Sequence, residues 1–373
     1  RPVVYEAGRM GGRLRSEPFR AGSRAVAELG GMRFPMSASS FFHYVDALGL
    51  RTQPFPNPLT PAAPTTVVDL AGRSHFARTL EDLPPLFQEV AAAWDEAVRR
   101  HGSIVELQQA MRERDDAAVK EIWNPLVERW DDRTFYDFVA SSDSFSALSY
   151  RHREVFGQVG FGTGGWDADF PNSMLETLRV VVSAFEEDQH FVVGGAEQLP
   201  RGLWELPLRD VVHWPAGSTV ADLHPGRATR TAVAEIARDG DRLRVVDQWG
   251  HAAGYDAVLV TCQSWLLTTG IDVEESLFSP EVWMALDRTR YFQSSKTFVM
   301  VDRPFWNDID PATGRPAMSM TLTDRNTRGT YLFDLGPDEP GVICLTYTWM
   351  GDAMKVLPMS AAERAALAID TLE

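Results

Sequence analysis

Two glycine pairs, each soon followed by an arginine, lie within the first 35 residues and restrict what the chain can fold around. The first, Arg9-Met10-Gly11-Gly12-Arg13-Leu14, comes after Tyr5-Glu6-Ala7, an apolar run that ends in an acid. Paired glycines let a backbone approach a phosphate closely, and an arginine beside them offers paired donors to a pyrophosphate. An acid closing the second strand of a dinucleotide-binding unit takes the ribose hydroxyls. The second pair sits in Ala27-Glu28-Leu29-Gly30-Gly31-Met32-Arg33-Phe34-Pro35. Its glycines suit a backbone pressed against a flat ligand, with Arg33 held beside it by Pro35. A bidentate guanidinium is what a free carboxylate requires. Taken singly, Glu6 is an ordinary strand end and Arg33 an ordinary surface arginine after a turn. The order of the pieces carries the information.

At 373 residues, two or three domains are expected. Residues 3–35 read as short strands between glycine clusters, 36–50 as a short helix, and 54–64 as a proline-rich loop. Val67 to Gly72 reads as a strand and turn. Residues 80–150 read as helical: Pro84-Pro85 opens a helix, Phe87, Val90, Ala91, Trp94 and Val98 share one face, and Gly102 suits the C-cap. Residues 156–172 form a glycine-rich loop and 173–185 a helix. Strands then dominate, with runs at Thr219-Val220, Ala232–Ile236, Leu243–Val246 and Ala257–Val260, and a hairpin turn at Asp239-Gly240. A second β region comprises Lys296–Val301, Met318–Leu322, Thr330–Phe333 and Val342–Trp349. Ser360 to Glu363 is a capping box that starts a last helix. That helix stops uncapped at Glu373, and the chain opens on Arg1, so an internal piece of a longer protein is expected.

Charge and motif content narrow the function classes. With 36 Lys+Arg against 52 Asp+Glu the net charge is −16, the wrong sign for a nucleic-acid binder. No run of 18 apolar residues exists to span a membrane, and no leader is visible, so a cytoplasmic protein is expected. Cys262 and Cys344 lie in apolar runs and read as buried inert thiols. The eight histidines show no ligand spacing, so no metal site is expected, and His213 reads as packed or capping. Phosphate-loop, zincin, hydrolase-elbow and EF-hand motifs are absent. Gly160 to Gly165 fits G-x-G-x-x-G literally, but Pro171 stops the helix a pyrophosphate would need. It reads as a flexible loop, or as a pocket wall carrying Trp166.

E-A-x-R-x-G-G-R followed by E-L-G-x-M-R-F-P resembles the flavin amine oxidase family, in its bacterial L-amino acid oxidase and 2-monooxygenase branch. The resemblance continues through Phe156–Arg179, Thr261–Leu267, Ser294–Phe298, Arg303–Trp306, Thr323–Arg325, Arg328–Tyr331 and Tyr347–Trp349. It implies an α/β fold: a Rossmann-like FAD-binding domain of the glutathione-reductase type, an inserted helical region and a mixed-sheet substrate domain, incomplete at both termini. The implied FAD-binding portions are 1–35 and 186–265. Residues 36–185 are the helical region with its glycine loop, 266–350 the substrate-binding β region, and 351–373 the start of a truncated helix. A first strand with its G-x-G-x-x-G helix is expected before Pro2, and a further flavin segment after Glu373.

The resemblance also implies residue roles. Glu6 and Ala7 would meet the FAD ribose, Gly12 and Arg13 the pyrophosphate, Val233 the adenine, and Trp265 the cofactor again. Gly30, Gly31 and Met32 would pass along the flavin ring, and Arg33 would clamp the substrate carboxylate. Lys296 matches the lysine that holds a water near flavin N5; on its own it is an exposed strand lysine. Glu6-Ala7-Gly8-Arg9 is one residue shorter than the family's usual spacing, so a different turn is expected. The implied reaction oxidises an L-amino acid with O2, giving a 2-oxo acid, ammonia and peroxide, or an amide and CO2. Trp166, Phe34, Phe305 and Trp349 suit an apolar substrate wall or, equally, the core, and Asp167 or Asp169 would serve a basic substrate. A homo-oligomer is expected. Two other classes fit the same pattern: an amine or polyamine oxidase, which has no use for Arg33, and a non-catalytic scaffold.

Overall fold

A computed structural model of the chain describes residues 2–159, 173–184, 188–209, 213–226, 228–336 and 338–372. They form two compact units, one of residues 1–15 with 197–292 and one of 16–196 with 293–373. The divisions between these units fall at 15/16, 196/197 and 292/293.

The larger unit is built on a six-stranded sheet. Its order is Ser294–Val301, Gly341–Trp349, Gly329–Phe333, Met320–Thr323, Thr66–Leu70 and Arg73–Ala77. Only the Met320–Thr323 and Thr66–Leu70 pair is parallel. Five of these match runs read as strands in the sequence; Arg73–Ala77 is not among them. One face buries Met320, Tyr331, Phe333, Val342 and Cys344 around Met32 and Phe55. The other buries Leu332, Ile343 and Leu345 around Trp306 and Ala368 of the last helix, Ala361–Leu372.

A bulge sets which residues share a face. Thr297 pairs with Thr346 but Phe298 pairs with Cys344, so Leu345 is the extra residue. Side chains alternate with period two. Without the bulge, Tyr347 and Cys344, three apart, would point to opposite faces. With it, Lys296, Phe298, Cys344 and Tyr347 share one face.

Residues 16–35 belong to this unit because their side chains and edges are used there. The Ser16–Pro18 and Val26–Glu28 hairpin lies against the sheet's Ser294–Val301 and Gly341–Trp349 strands. Phe34–Pro35 joins Gln189–Val192 and Thr52–Pro54 in a three-stranded sheet. The helical region packs as a separate layer. Pro85–His101 starts with Pro85 in its first turn and is capped by Gly102, as the sequence indicates. A Cβ on Gly102 would lie 2.7 Å from both Leu178 Cδ2 and Val98 O, so glycine lets the Met174–Val182 helix close on it. Leu107, Trp130, Phe138, Phe145 and Met174 fill that layer's core.

The smaller unit carries a four-stranded sheet ordered Ala252–Tyr255, Arg242–Asp247, Val233–Asp239 and Asp272–Val273. The parallel pairing of Asp272–Val273 with Val233–Asp239 ties residues beyond 265 to this unit. Four local expectations are corrected here. The hairpin loop is Gly240-Asp241, with Asp239 paired to Arg242 and Gly240 at φ 64°. Thr219 does not start a strand; it caps the helix Val220–Leu223 through a reciprocal box with Asp222. Ala257–Val260 forms no strand: no neighbour pairs with it among the described residues, and Leu259 is 89% exposed. Cys344 is buried, but Cys262 follows that extended segment and is exposed, so only one thiol is interred.

Candidate active site

In the smaller unit, Glu6 sits where the chain leaves a single parallel bridge to Thr229. Its amide donates to Ala228 O and its carbonyl accepts from Thr231 N, both at 2.9 Å. Its carboxylate accepts the Gly8 amide at 2.8 Å, closing the short turn that begins at Ala7. Gly11 at φ 104° and Gly12 at φ 51° then reverse the backbone, with Leu14 N donating to Gly11 O. A Cβ on Gly11 would strike Leu14 O at 2.8 Å, whereas nothing lies within 4 Å of that position on Gly12. The first glycine is demanded by the turn, and the second leaves bare backbone open to a ligand.

Glu197 anchors this turn. It is 3% exposed and forms ion pairs with Arg9 and Arg201. Arg13 is exposed near Tyr291, whose hydroxyl accepts the Ser264 amide at 2.7 Å. Hydrogen bonds from Ser264, helped by Arg13, hold the Tyr291 hydroxyl below its ordinary range. Val233 opens its strand half-buried, and Trp265, 42% exposed, precedes the short helix Leu266–Thr269. A carboxylate acceptor, an open glycine backbone, a guanidinium and hydroxyls are groups that a nucleotide's ribose and phosphates can use.

In the larger unit, Arg33 and Lys296 come together over one ring. The Arg33 guanidinium carbon lies 5.7 Å from the Phe55 centroid and 5.5 Å from that of Tyr347. Lys296 Nζ lies 5.4 Å from the same Tyr347 ring and donates to the Gly30 carbonyl. Each cation gains cation–π attraction from the Tyr347 ring. Arginine held this way is pre-organised, so it loses less side-chain freedom on taking a planar anion.

Burial pushes the Lys296 ammonium down to about 8; Arg33 adds to this, while Cys344 and Glu28 oppose it. Burial pushes the Cys344 thiol up to about 12, so it stays protonated and inert. Glu28 is raised by burial, against hydrogen bonds from Ala196, Ser16 and Gly30 and the charge of Lys296. Gly31 is exposed at the surface beside Gly30, whereas the Met32 side chain, 3% exposed, is core. Only the backbone of Met32 can line a ligand.

The expected substrate wall separates. Phe34 stacks on Phe41 with centroids 3.9 Å apart. Trp349 packs against Tyr347 at 4.8 Å, close to the two cations. Phe305, 47% exposed, lies beyond the opposite end of its strand from Lys296. Trp166, Asp167, Asp169 and the glycine loop Gly160–Gly165 lie outside the described residues. Glu28, Phe55, Tyr291 and Glu197 were not singled out from the sequence. Glu28 stood inside a quoted motif, but Phe55 in a proline-rich loop and Glu197 before a helix carry no local pattern that marks them. Among the described residues, no group of three or more His, Cys, Asp and Glu is placed to hold a metal.

Comparison with known proteins identifies the family. Residues 1–373 match the family described as flavin containing amine oxidoreductase. Tryptophan 2-monooxygenase of Pantoea agglomerans pv. gypsophilae is 28% identical over 385 residues, covering 96% of this chain and 64% of that protein. Tryptophan 2-monooxygenase of Agrobacterium tumefaciens (strain Ach5) is 28% identical over 395 residues, covering 99% of this chain and 49% of that protein. The chain thus spans about half to just under two thirds of these relatives. Wild-type putrescine oxidase bound to putrescine superposes with a TM-score of 0.70 at 15% identity, over 99% of this chain and 75% of that one. Cyclohexylamine oxidase from Brevibacterium oxydans IH-35A gives 0.66 at 15%, over 99% and 74%. At that identity the two structures establish the α/β fold alone. The chain belongs to the flavin containing amine oxidoreductase family, whose cofactor is FAD.

Proposed function

We propose that the full-length protein oxidises an L-amino acid with FAD and O2. The observation that supports this most is Arg33 braced by Phe55 and Tyr347 beside Lys296. A guanidinium in an aromatic cluster suits a substrate that brings a carboxylate and a large apolar side chain. The relatives, tryptophan 2-monooxygenases by name, point to the same substrate class.

FAD, when bound, would supply the two-electron redox chemistry that links amino-acid oxidation to oxygen. The chain's own residues do the rest. In the smaller unit, Glu6 and Ala7 would receive the ribose, Gly12 and Arg13 the pyrophosphate, and Val233 and Trp265 the remaining nucleotide. In the larger unit, Gly30, Gly31 and the Met32 backbone would line the ring. Arg33 grips the carboxylate and so fixes the direction of the Cα–H bond, and this positioning is its catalytic contribution. Lys296 Nζ, an ammonium below about pH 8, holds a proton where oxygen is reduced.

The test is a screen of L-amino acids with the full-length protein, following oxygen, peroxide, ammonia and amide together. Large apolar amino acids should be consumed. An amide with CO2 marks a 2-monooxygenase; a 2-oxo acid with ammonia and peroxide marks an oxidase. A flavin-loaded protein that consumes no oxygen with any amino acid sinks the reading.

A further inference from the structure

Glu28 is a carboxylate with more hydrogen-bond donors than its place on a hairpin strand needs. Ser16 Oγ reaches its two oxygens at 3.0 and 2.8 Å, and the Ala196 amide donates at 2.8 Å. The Gly30 backbone also favours its ionised form. The carbonyl of that same Gly30 receives the Lys296 ammonium. The Gly30 segment is thus set between a carboxylate and an ammonium.

The surroundings make the charge count. Glu28 lines a cavity of about 30 Å³ whose other walls include Met32, Phe191, Phe298 and Val342, with Arg24 at its edge. Arg24 is itself paired with Glu339. Around Lys296 the charged and titratable neighbours are Glu28 on the hairpin, Arg33 before Phe34–Pro35, and Cys344 and Tyr347 on the paired strand. Cys344 stays a thiol and Arg33 repels. Glu28 is the fixed negative charge among them, and in a desolvated setting such a charge acts strongly.

We propose that Glu28 is a positioning residue for Lys296: its carboxylate fixes the Gly30 turn that receives the ammonium and supplies the negative charge that keeps the ammonium protonated. Its consequence for turnover rests on the amino-acid oxidation reading; the charge pairing does not. The chain has three lysines, Lys120, Lys296 and Lys355, so the residue can be watched directly.

The experiment is a pH titration by NMR of the full-length protein carrying 13Cε-lysine. The Lys296 signal is identified by its loss in Lys296→Met. Wild type should titrate near pH 8, and Glu28→Gln should move the midpoint down by about one unit or more. An unmoved midpoint overturns the proposal. Glu28→Asp keeps the charge but draws it back by one carbon, so its midpoint should fall between the two. If the glutamine variant does not fold, an aspartate midpoint equal to wild type overturns the proposal instead. A second readout is flavin reoxidation. Glu28→Gln should slow it in the wild-type background and leave it unchanged in Lys296→Met; equal slowing in both backgrounds contradicts action through Lys296. Failure of the amino-acid screen with a normal titration would sink the functional reading and leave this inference standing.

Discussion

At the scale of single residues, the structure spends stability on Lys296. Its ammonium is held at about 8 against 10.5 for an ordinary lysine. Between those values the unfolded chain binds the extra proton, so stability rises with pH across that window. Below about 8 the desolvated charge is a standing cost. Lys296→Met should therefore stabilise the fold at pH 7, on the order of 2–3 kcal/mol. The gain should fade as pH climbs towards 10.5. Urea unfolding at both ends of the window measures this; a methionine variant less stable than wild type at pH 7 contradicts it. A group kept at such cost is what a reactive site looks like, whereas Cys344, more deeply buried, needs no charge. Sequence could name Lys296 only through a resemblance, because the burial that gives it meaning comes from residues far along the chain.

At the scale of elements, five strands of the six-stranded sheet were readable because they carry apolar runs, whereas Arg73–Ala77, with Arg73, Ser74 and His75, carries none. The bulge at Leu345 was not readable, since nothing in Val342 to Trp349 breaks the alternation visibly. Yet that extra residue puts Tyr347 under Lys296 and Arg33. Ala257–Val260 failed for the converse reason: apolar residues make a strand only when a neighbour takes their backbone hydrogen bonds. The Gly341–Trp349 strand also offers a clean packing test. A Cβ on Gly341 would lie 2.4 Å from Trp306 Cη2 and 3.0 Å from Val301 Cγ2. Trp306 is 3% exposed and has no room to yield. Gly341→Ala should cost about 1–3 kcal/mol, seen as a lower urea midpoint with an unchanged slope. Because the clash lies on the face away from Lys296, the Lys296 titration should not move. An unchanged midpoint in urea would show that this end of the sheet is looser than it is drawn.

At the scale of the whole molecule, the chain passes three times between its two units, at 15/16, 196/197 and 292/293. Composition shifts do not mark such crossings. Glycine motifs signal ligand contact, not membership of a compact unit, so residues 16–35 and Glu6 can share a motif pattern while lying in different units. The motifs did name the family, and with it the cofactor, because paired glycines and arginines at fixed spacing answer to one ligand's shape. No helix among the described residues is long and apolar enough to cross a membrane. The net charge of −16 favours a small-molecule ligand over a nucleic acid.

The account turns on Arg33 as the group that recognises a carboxylate. The most direct measurement is kcat/KM for a large apolar L-amino acid and for the amine made by removing its carboxyl group, in full-length wild type and in Arg33→Ala. Wild type should prefer the amino acid, and the alanine variant should lose about 100-fold on it while leaving the amine nearly untouched. Equal turnover of amine and amino acid by wild type, or equal losses on both in the variant, would contradict the account.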